Sequence, residues 1–420
     1  MGERRSKRKE RLAEEEVARL GVAAAADAGL RHSLGQRAGE AFRNGDVAMS
    51  KVLESALRHR ERVERVTHGF HTYPAGLHPD AARDALSLGS GPLLDPFCGG
   101  GTVLIEAMLA GRDALGLDVS PVACMVARTR TARTDEAART ALRSLARQAT
   151  EAALHAPAGI PPGLEVPAEI LDWYEPHVIG ELVALHDAIG NHDLARAVFS
   201  SILVRASQRA SDTSNTRSTT SRPPGTAATL FHKKARELGR LLEELEKAVP
   251  PGVRARVHRE DSRKQRERAS FGQVVTSPPY PGVYDYVPMQ QLRLAWLGLD
   301  PGSSLREEVS PRRAFRADRS RAMAAWRDDT RRWVRGCARA LVPGGRMVVI
   351  IGDGHVLERK IDSLGPVDEA ASAAKMKRLA CASVERWDEG LRTMRLEHAI
   401  LFERGAEAPS EERDEPDSEE

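Results

Sequence analysis

A short apolar segment, a run of glycines and a second apolar segment ending in an acid constrain the fold of this chain most. Residues 92–97 are predicted to form a buried strand, and residues 102–110 a helix. Residues 114–118 form the next predicted strand, which ends at Asp118. Strand, glycine turn, helix and strand in this order open a doubly wound α/β fold with a parallel sheet.

A long helical stretch interrupts this sheet. Apolar residues at helical spacing occupy 178–189, 194–204 and 235–249, and such a stretch is too long for one crossover connection. The sequence therefore predicts an inserted helical subdomain. Further strands are predicted at 253–258, 273–276 and 346–351, and 379–384 with 397–402 are expected to close the sheet as a hairpin.

Composition divides the chain into five parts. We predict a helical N-terminal preface at 1–70, the first part of the α/β domain at 71–130, the helical insert at 131–250, the second part of the α/β domain at 251–404, and an acidic, disordered tail at 405–420. Within the insert, residues 211–227 are rich in Ser, Thr, Arg, Gly and Pro. This composition predicts a mobile loop.

Charge and cysteine content narrow the function classes. The net charge is +3, but the tail holds eight acids and one Arg, so the rest of the chain carries +10. A basic body permits a polyanionic partner without requiring one. The four cysteines show no C-x-x-C spacing and predict structural thiols in a reducing compartment. Without a signal sequence or an apolar stretch of about 20 residues, we expect a cytoplasmic protein that does not contact membranes.

The first candidate site is D-P-F-C-G-G-G-T at residues 95–102. Glycines let the backbone approach a ligand, and the following helix offers free N–H groups. Asp118 lies 23 positions after Asp95, near the spacing at which an acid binds ribose hydroxyls. The third glycine of a dinucleotide fingerprint is replaced by Leu104, so the pattern favours a ligand with ribose and no pyrophosphate. S-adenosylmethionine fits, with Asp95 facing its ammonium group; a glycine turn that only packs helix on strand is the alternative.

The second candidate site is V-V-T-S-P-P-Y at residues 274–280, where two prolines hold the backbone extended. The Ser277 hydroxyl and the Pro278 carbonyl could accept both hydrogens of an exocyclic amine and align its lone pair with an electrophilic methyl. Three of the five tyrosines lie at positions 280, 284 and 286, and we expect Tyr280 to stack on a flipped base. A rigid turn whose tyrosines cover the core is the alternative.

Together the two motifs resemble the cofactor loop and catalytic loop of class I S-adenosylmethionine-dependent amino-methyltransferases, especially the DNA N4-cytosine/N6-adenine methylase family. The similarity includes H-T-Y-P-A at residues 71–75 and spans about residues 71–403, apart from the insert. It implies a Rossmann-like class I methyltransferase sheet, mostly parallel with the last strand antiparallel. One departure is Gly100, where serine is frequent in the family.

The resemblance implies roles for individual residues and requires no metal. The implied cofactor site comprises Tyr73, Asp95, Phe97, Gly99, Gly101, Asp118 and Asp261, with Glu260 an equal candidate for the acid near adenine. The implied target-amine site comprises Ser277, Pro278, Pro279 and Tyr280.

The predicted function is S-adenosylmethionine-dependent methylation of an exocyclic amino group of a DNA base. Ser277 favours cytosine N4 over adenine N6, by analogy with the family. An RNA methyltransferase acting on guanine N2 of tRNA is one alternative, and a non-catalytic, methyltransferase-like nucleic-acid-binding protein is another. The insert is the candidate for target recognition. A basic stretch near the catalytic loop, Arg312, Arg313, Arg316, Arg319 and Arg321, is a candidate for guiding a nucleic-acid strand.

Overall fold

The computed structural model describes residues 38–405, except residues 75, 211–215, 301–306, 357–358 and 389–392. Ten strands lie in this part of the chain. They are β1 (Ala38–Gly45), β2 (Leu93–Asp95), β3 (Ala114–Asp118), β4 (Ala255–Arg259), β5 (Phe271–Thr276), β6 (Leu341–Gly352), β7 (Gly354–Val356), β8 (Arg359–Ile361), β9 (Met376–Asp388) and β10 (Thr393–Arg404).

Eight of these strands form one sheet in the order β1-β9-β10-β6-β5-β2-β3-β4, and β7 and β8 pair separately as a hairpin. The strands β2 to β6 pair in parallel, whereas β10 runs antiparallel to β6 and β9. The predicted Rossmann-like class, mostly parallel with an antiparallel last strand, is confirmed. Because β3 and β5 lie on opposite sides of β2, the loops after β2 and β5 diverge and leave a crevice at the carboxyl ends of the strands.

Helices cover the sheet and form the insert. The helices are α1 (Val47–Arg58), α2 (Pro79–Leu86), α3 (Thr102–Leu109), α4 (Pro121–Arg130), α5 (Glu136–Leu154), α6 (Ala168–Leu171), α7 (Pro176–Ile189), α8 (Asp193–Ala206), α9 (Thr226–Ala248), α10 (Tyr286–Met289), α11 (Gln291–Trp296), α12 (Arg312–Ala317), α13 (Arg319–Ala340) and α14 (Leu364–Ala373). The sequence sets where α4 begins: the Ser120 side chain accepts from the Ala123 N–H, and Pro121 is the first helical residue.

The insert helices α5, α7, α8 and α9 share a hydrophobic core of their own, which includes the fully buried Leu182, Phe199 and Leu238. This core also takes in Leu292 and Trp296 of α11, which follows the catalytic loop in sequence. The insert therefore packs directly against the segment that leaves the catalytic loop.

The preface differs from the sequence-based expectation. Residues 38–45 form β1 and not a helix, and β1 pairs with β9 from Ala41 opposite Val384 to Gly45 opposite Ala380. Helix α1 then begins at the cap Asp46, whose carboxylate accepts from the Met49 N–H. Residues 1–37, residues 211–215 of the expected mobile loop, and the tail from 406 onward lie outside the described residues. Among the described helices, none has the length and apolar character to span a membrane.

Candidate active site

A cavity of about 980 Å³, counted out to its open mouth, lies at the carboxyl ends of β2, β3, β4 and β5. Four separate segments meet there because parallel strands present their carboxyl ends at one edge of a sheet. Eight of the eleven residues predicted from the sequence line this cavity: Tyr73, Asp95, Phe97, Gly99, Asp118, Asp261, Ser277 and Pro279. The other three, Gly101, Pro278 and Tyr280, do not belong to its lining.

The glycine loop after β2 forms one wall. Gly99 has a φ of 48° and donates its N–H to the Asp118 carboxylate at 3.0 Å. A Cβ at Gly99 would lie 3.3 Å from the ring of Tyr73, so the loop and this ring pack closely. Gly101 has a φ of 79°, and a Cβ there would lie 3.1 Å from the Cα of Ala127. Gly101 therefore packs the loop against α4 and does not itself line the cavity.

Arg130 holds the same loop from behind, a role that no sequence pattern indicated. Its buried guanidinium donates to the carbonyls of Gly100 at 2.6 Å, Thr67 at 3.1 Å and His68 at 3.1 Å. Burial lowers the pKa of Arg130 to about 10. A Cβ at Gly100 would lie 2.7 Å from this guanidinium and 3.1 Å from the Cβ of Tyr73. This contact leaves little room at position 100 for a side chain such as the serine that is frequent in the resembling family.

Two carboxylates at the ends of β2 and β3 line the cavity, Asp95 buried and Asp118 partly buried. Asp95 accepts from the Thr276 hydroxyl at 2.8 Å and from the Phe97 N–H at 3.2 Å, and burial raises its pKa to about 7. Asp118 accepts from the N–H groups of Gly99 and Ser120, and burial raises its pKa to about 6. Burial disfavours the charged form of both groups, so a cation or a hydrogen-bond donor placed beside them would be stabilised.

The acids after β4 lie at the far side of the cavity. Both oxygens of Asp261 accept from the guanidinium of Arg263, at 2.9 and 2.8 Å, and Arg263 also pairs with Asp329 at 2.7 Å. Glu260 lines the cavity as well, and its N–H donates to the Asp118 carbonyl at 3.1 Å. The carboxylate of Asp261 is thus fixed in place by Arg263, and both acids line the cavity.

The S-P-P-Y loop after β5 brings Ser277 and Pro279 to the cavity, while Pro278 is buried. The side chain of Tyr280 is also buried, and its hydroxyl donates to Glu397 at 2.9 Å. Glu397 in turn pairs with the buried Arg386 at 3.0 Å. The ring of Tyr280 thus does not line the cavity in this structure, in contrast to the stacking face expected from the sequence.

The cavity lining also includes Tyr286 and Glu308, which were not predicted as site residues from the sequence. The Glu308 carboxylate accepts from the Tyr286 N–H and pairs with Arg313 at 2.6 Å, and burial raises its pKa. The cluster of three tyrosines at positions 280, 284 and 286 is the one sequence feature that could have indicated Tyr286 as a cavity residue. Neither Glu308 nor its partner Arg313 lies in a motif that would mark a cavity wall.

Another cluster of titratable groups lies away from the cavity. His59, His78 and Asp80 bring their ligand atoms within 4.8 Å of one another, and the two imidazole rings stack. Existing partners already engage these atoms: His59 pairs with Asp84 at 2.8 Å, and Asp80 pairs with Arg65 at 2.9 Å. Both ring nitrogens of His78 are also engaged, with the Glu61 carbonyl and the Asp80 N–H, so we interpret this cluster as a structural contact.

Comparison with known proteins supports a methyltransferase resemblance for part of the chain. The RMKL-like methyltransferase domain family, UPF0020, matches residues 75–154. Type II methyltransferase M.MvaI of Kocuria varians is 32% identical over 74 residues, or 16% of each chain. Type II methyltransferase M.MjaII of Methanocaldococcus jannaschii is 33% identical over 83 residues, or 19% of this chain and 15% of that one. The chain thus spans about a sixth of the length of these curated relatives.

Among solved structures, the rRNA methyltransferase aviRa from Streptomyces viridochromogenes is 14% identical, with 82% of this chain and 94% of that chain covered and a TM-score of 0.33. A TM-score this low supports no conclusion about function. The domain match and the two relatives, taken with the motifs that the cavity brings together, confirm the predicted resemblance to S-adenosylmethionine-dependent amino-methyltransferases.

Proposed function

We propose that this protein transfers a methyl group from S-adenosylmethionine to an exocyclic amino group of a DNA base, with cytosine N4 favoured and adenine N6 second. One observation carries the proposal: Gly99 and Asp118 share a single cavity with Ser277 and Pro279. A cofactor loop and an amine-binding loop must open on one space for direct transfer.

The residues on the β2–β4 side fit the cofactor. Gly99 leaves room beside the ring of Tyr73, where a Cβ would intrude. Asp118 suits ribose hydroxyls because it is a partly buried acceptor at the end of β3 that lines the cavity. Asp95 suits the ammonium group, since a cation would stabilise a carboxylate that burial otherwise disfavours. Asp261 or Glu260 would accept from the adenine amino group.

On the other side, Ser277 would accept a hydrogen bond from the target amine and orient the nitrogen lone pair. When bound, S-adenosylmethionine supplies a methyl group already activated by its sulfonium. The amine nitrogen forms the new N–C bond as the S–C bond breaks, and the proton that it releases passes to water at the open mouth. The chain contributes positioning, and this reaction needs little more.

A methyl-transfer assay tests this proposal. Purified protein and S-adenosylmethionine with a labelled methyl group are incubated with unmethylated duplex DNA or with bulk tRNA, and the methylated nucleosides are identified by mass spectrometry. We expect N4-methylcytosine in DNA. Label in tRNA alone would replace the DNA assignment by the RNA alternative, and no label in either would exclude both enzymatic assignments.

Ser277→Ala tests the amine site. We expect kcat to fall about fivefold, because one hydrogen bond of about 1 kcal/mol is lost at the reacting nitrogen, while the Kd for S-adenosylmethionine is unchanged. Calorimetry gives the Kd and the labelled-methyl assay gives kcat. Weaker cofactor binding with an unchanged kcat would contradict the role proposed for this loop. Target recognition by the insert stays a prediction.

A further inference from the structure

Positive charge is distributed unevenly around the cavity. Residues 312–340, which form α12 and α13, contain ten Arg and three Asp. The insert at 131–250 contains fourteen Lys and Arg against fifteen Asp and Glu. The segment expected to recognise the target is therefore close to neutral, whereas α12 and α13 are strongly basic.

Helix α12 and the β7–β8 hairpin pack directly on the catalytic loop. The Arg312 N–H donates to the Tyr284 carbonyl at 3.0 Å, and the Gly282 N–H donates to the Ser310 carbonyl at 3.2 Å. A Cβ at Gly282 would collide with the side chain of Val356 in β7, so the hairpin and the loop are in close contact. Because the loop, α12 and the hairpin form one packed unit, a group bound on this unit is held at a fixed position relative to Ser277.

Arginine side chains on this unit and in the first turn of α13 point into solvent. Four of them are exposed and form no ion pair within the part of the chain that the structure describes: Arg312, Arg316, Arg321 and Arg359. Neighbouring cations are already neutralised, since Arg313 pairs with Glu308 at 2.6 Å and Lys360 pairs with Asp353 at 2.9 Å. The four arginines are defined here as the basic face.

Buried nitrogen atoms adjoin the basic face. Arg319 donates to the Lys360 carbonyl at 3.2 Å and thereby joins α13 to β8. Its Nε atom is buried and has no hydrogen-bond partner among the described residues, and the same holds for Nδ1 of His355, which stands opposite Lys360 in the hairpin. Unsatisfied buried polar atoms are costly. A bound anion would accept from the Arg319 Nε–H, and from His355 in the tautomer that carries its proton on Nδ1.

We propose that the basic face binds the phosphate backbone of the DNA strand whose base enters the cavity. This inference rests on the proposed function and assigns to it a surface for the polyanionic substrate. Arginine binds phosphate through charge-assisted hydrogen bonds, and such contacts set the register of a protein on DNA without reading its sequence. Phosphates held beside the catalytic loop would place the extruded nucleotide in front of Ser277.

The test compares two triple variants with equal loss of charge. The first is Arg316→Gln, Arg321→Gln and Arg359→Gln. The matched control is Lys51→Gln, Arg256→Gln and Lys377→Gln, which removes three exposed cations from α1, β4 and β9. Binding of a fluorescently labelled duplex is measured by anisotropy at several salt concentrations, with the KM for the same duplex and the Kd for S-adenosylmethionine as companion measurements.

We expect the first triple variant to weaken duplex binding by at least about tenfold near 0.15 M salt and to lower the slope of log Kd against log salt by about 2 to 3. The control should lower the slope by less than about 1, and cofactor binding should be unchanged in both. Equal effects in the two triple variants would overturn the basic face as a specific surface. A competing RNA of the same length that binds more tightly than the duplex would overturn DNA as its partner.

The outcomes separate this inference from the proposed function. If the wild-type protein binds the duplex through the basic face but methylates no nucleic acid, the proposed function is wrong and the surface remains. If it methylates DNA with the same KM in both triple variants, the surface is wrong and the proposed function remains.

Discussion

The two sides of the cavity are built in different ways. On the cofactor side, Asp118 accepts from the N–H groups of Gly99 and Ser120, and Asp95 accepts from the N–H of Phe97, so most partners are backbone groups close in sequence. On the amine side, Tyr280 depends on Glu397, a residue 117 positions away. The β2–α3–β3 unit supplies most of the first wall, whereas the second requires the closing strands of the sheet. One contact joins the walls, since the Thr276 hydroxyl donates to Asp95 at 2.8 Å. Substitutions away from this contact should therefore affect mainly one wall.

The largest expected effect is that of Asp118→Ala on the cofactor wall. We expect S-adenosylmethionine affinity to fall about 100-fold or more, because the ribose loses a charged acceptor and two loop N–H groups lose their partner. Calorimetry measures the affinity, and circular dichroism checks the fold. Asp118→Asn, which keeps one acceptor oxygen, should have an affinity for S-adenosylmethionine between those of the wild-type protein and Asp118→Ala. Unchanged affinity in Asp118→Ala would remove this residue from the proposed cofactor site.

A pH titration addresses Asp95 on the same wall. Its pKa of about 7 in the free protein should fall when an ammonium group binds beside it, so the ionised form binds more tightly. Affinity for S-adenosylmethionine should therefore fall by up to about tenfold per pH unit between pH 7 and 6, and more steeply below pH 6, where Asp118 is protonated as well. Calorimetry between pH 5 and 7 measures this dependence and stays below the ordinary α-amino pKa of about 7.7 to 8.

The control for this titration is 5′-methylthioadenosine, which keeps the ribose and lacks the ammonium group. Its affinity should respond only to Asp118, whose pKa is about 6. Identical pH dependence for the two ligands would contradict an ammonium group beside Asp95.

Gly100→Ser tests how tightly the glycine loop is held. The new side chain would press on Arg130, which three carbonyls fix in place, so we expect a loss of about 1 to 3 kcal/mol in the free energy of unfolding. Chemical denaturation measures this loss. Gly76→Ser, in a segment where a Cβ has no close neighbour, serves as the control. Equal free energies of unfolding for the two variants would show that the glycine loop accommodates a side chain at position 100 and would contradict the expected clash with Arg130.

Tyr280→Phe gives the smallest expected effect and probes the amine wall. Loss of the hydrogen bond to Glu397 should cost about 1 kcal/mol of unfolding free energy. Tyr174→Phe is the matched control, since its hydroxyl donates to the Leu203 carbonyl inside the insert and its loss should cost a similar amount. Only Tyr280→Phe should also lower kcat. The same kcat in both variants would mean that Glu397 does not position the catalytic loop.

Sequence reasoning was most successful where structure is local. The strand, glycine turn and helix at 93–109 follow from apolar runs, glycines and a buried helix that are adjacent in sequence, and the closing hairpin follows from two apolar strands. Strand β1 was missed because its short segment, A-G-E-A-F-R-N-G, has little apolar alternation and becomes a strand by pairing with β9, more than 300 residues away.

The candidate site shows the same limit. Asp95, Gly99 and Asp118 are marked by spacing within one β–α–β unit. Arg130 and Glu397 are not, because an arginine at the end of a helix or a glutamate in a strand ordinarily faces solvent. Arg130 is buried against the glycine loop and Glu397 against the catalytic loop, and each loop is distant from its partner in sequence. The same reason explains why the orientation of Tyr280 could not be anticipated.

The seating of Leu292 and Trp296 in the core of the insert limits how these parts can be exchanged. In a chimaera that received residues 131–250 from another protein, the new helices would have to pack around the indole ring of Trp296, which belongs to the original chain. Any change in specificity gained by such a graft would also shift the segment that leaves the catalytic loop. The insert and residues 292–297 should therefore be inherited and engineered as one piece.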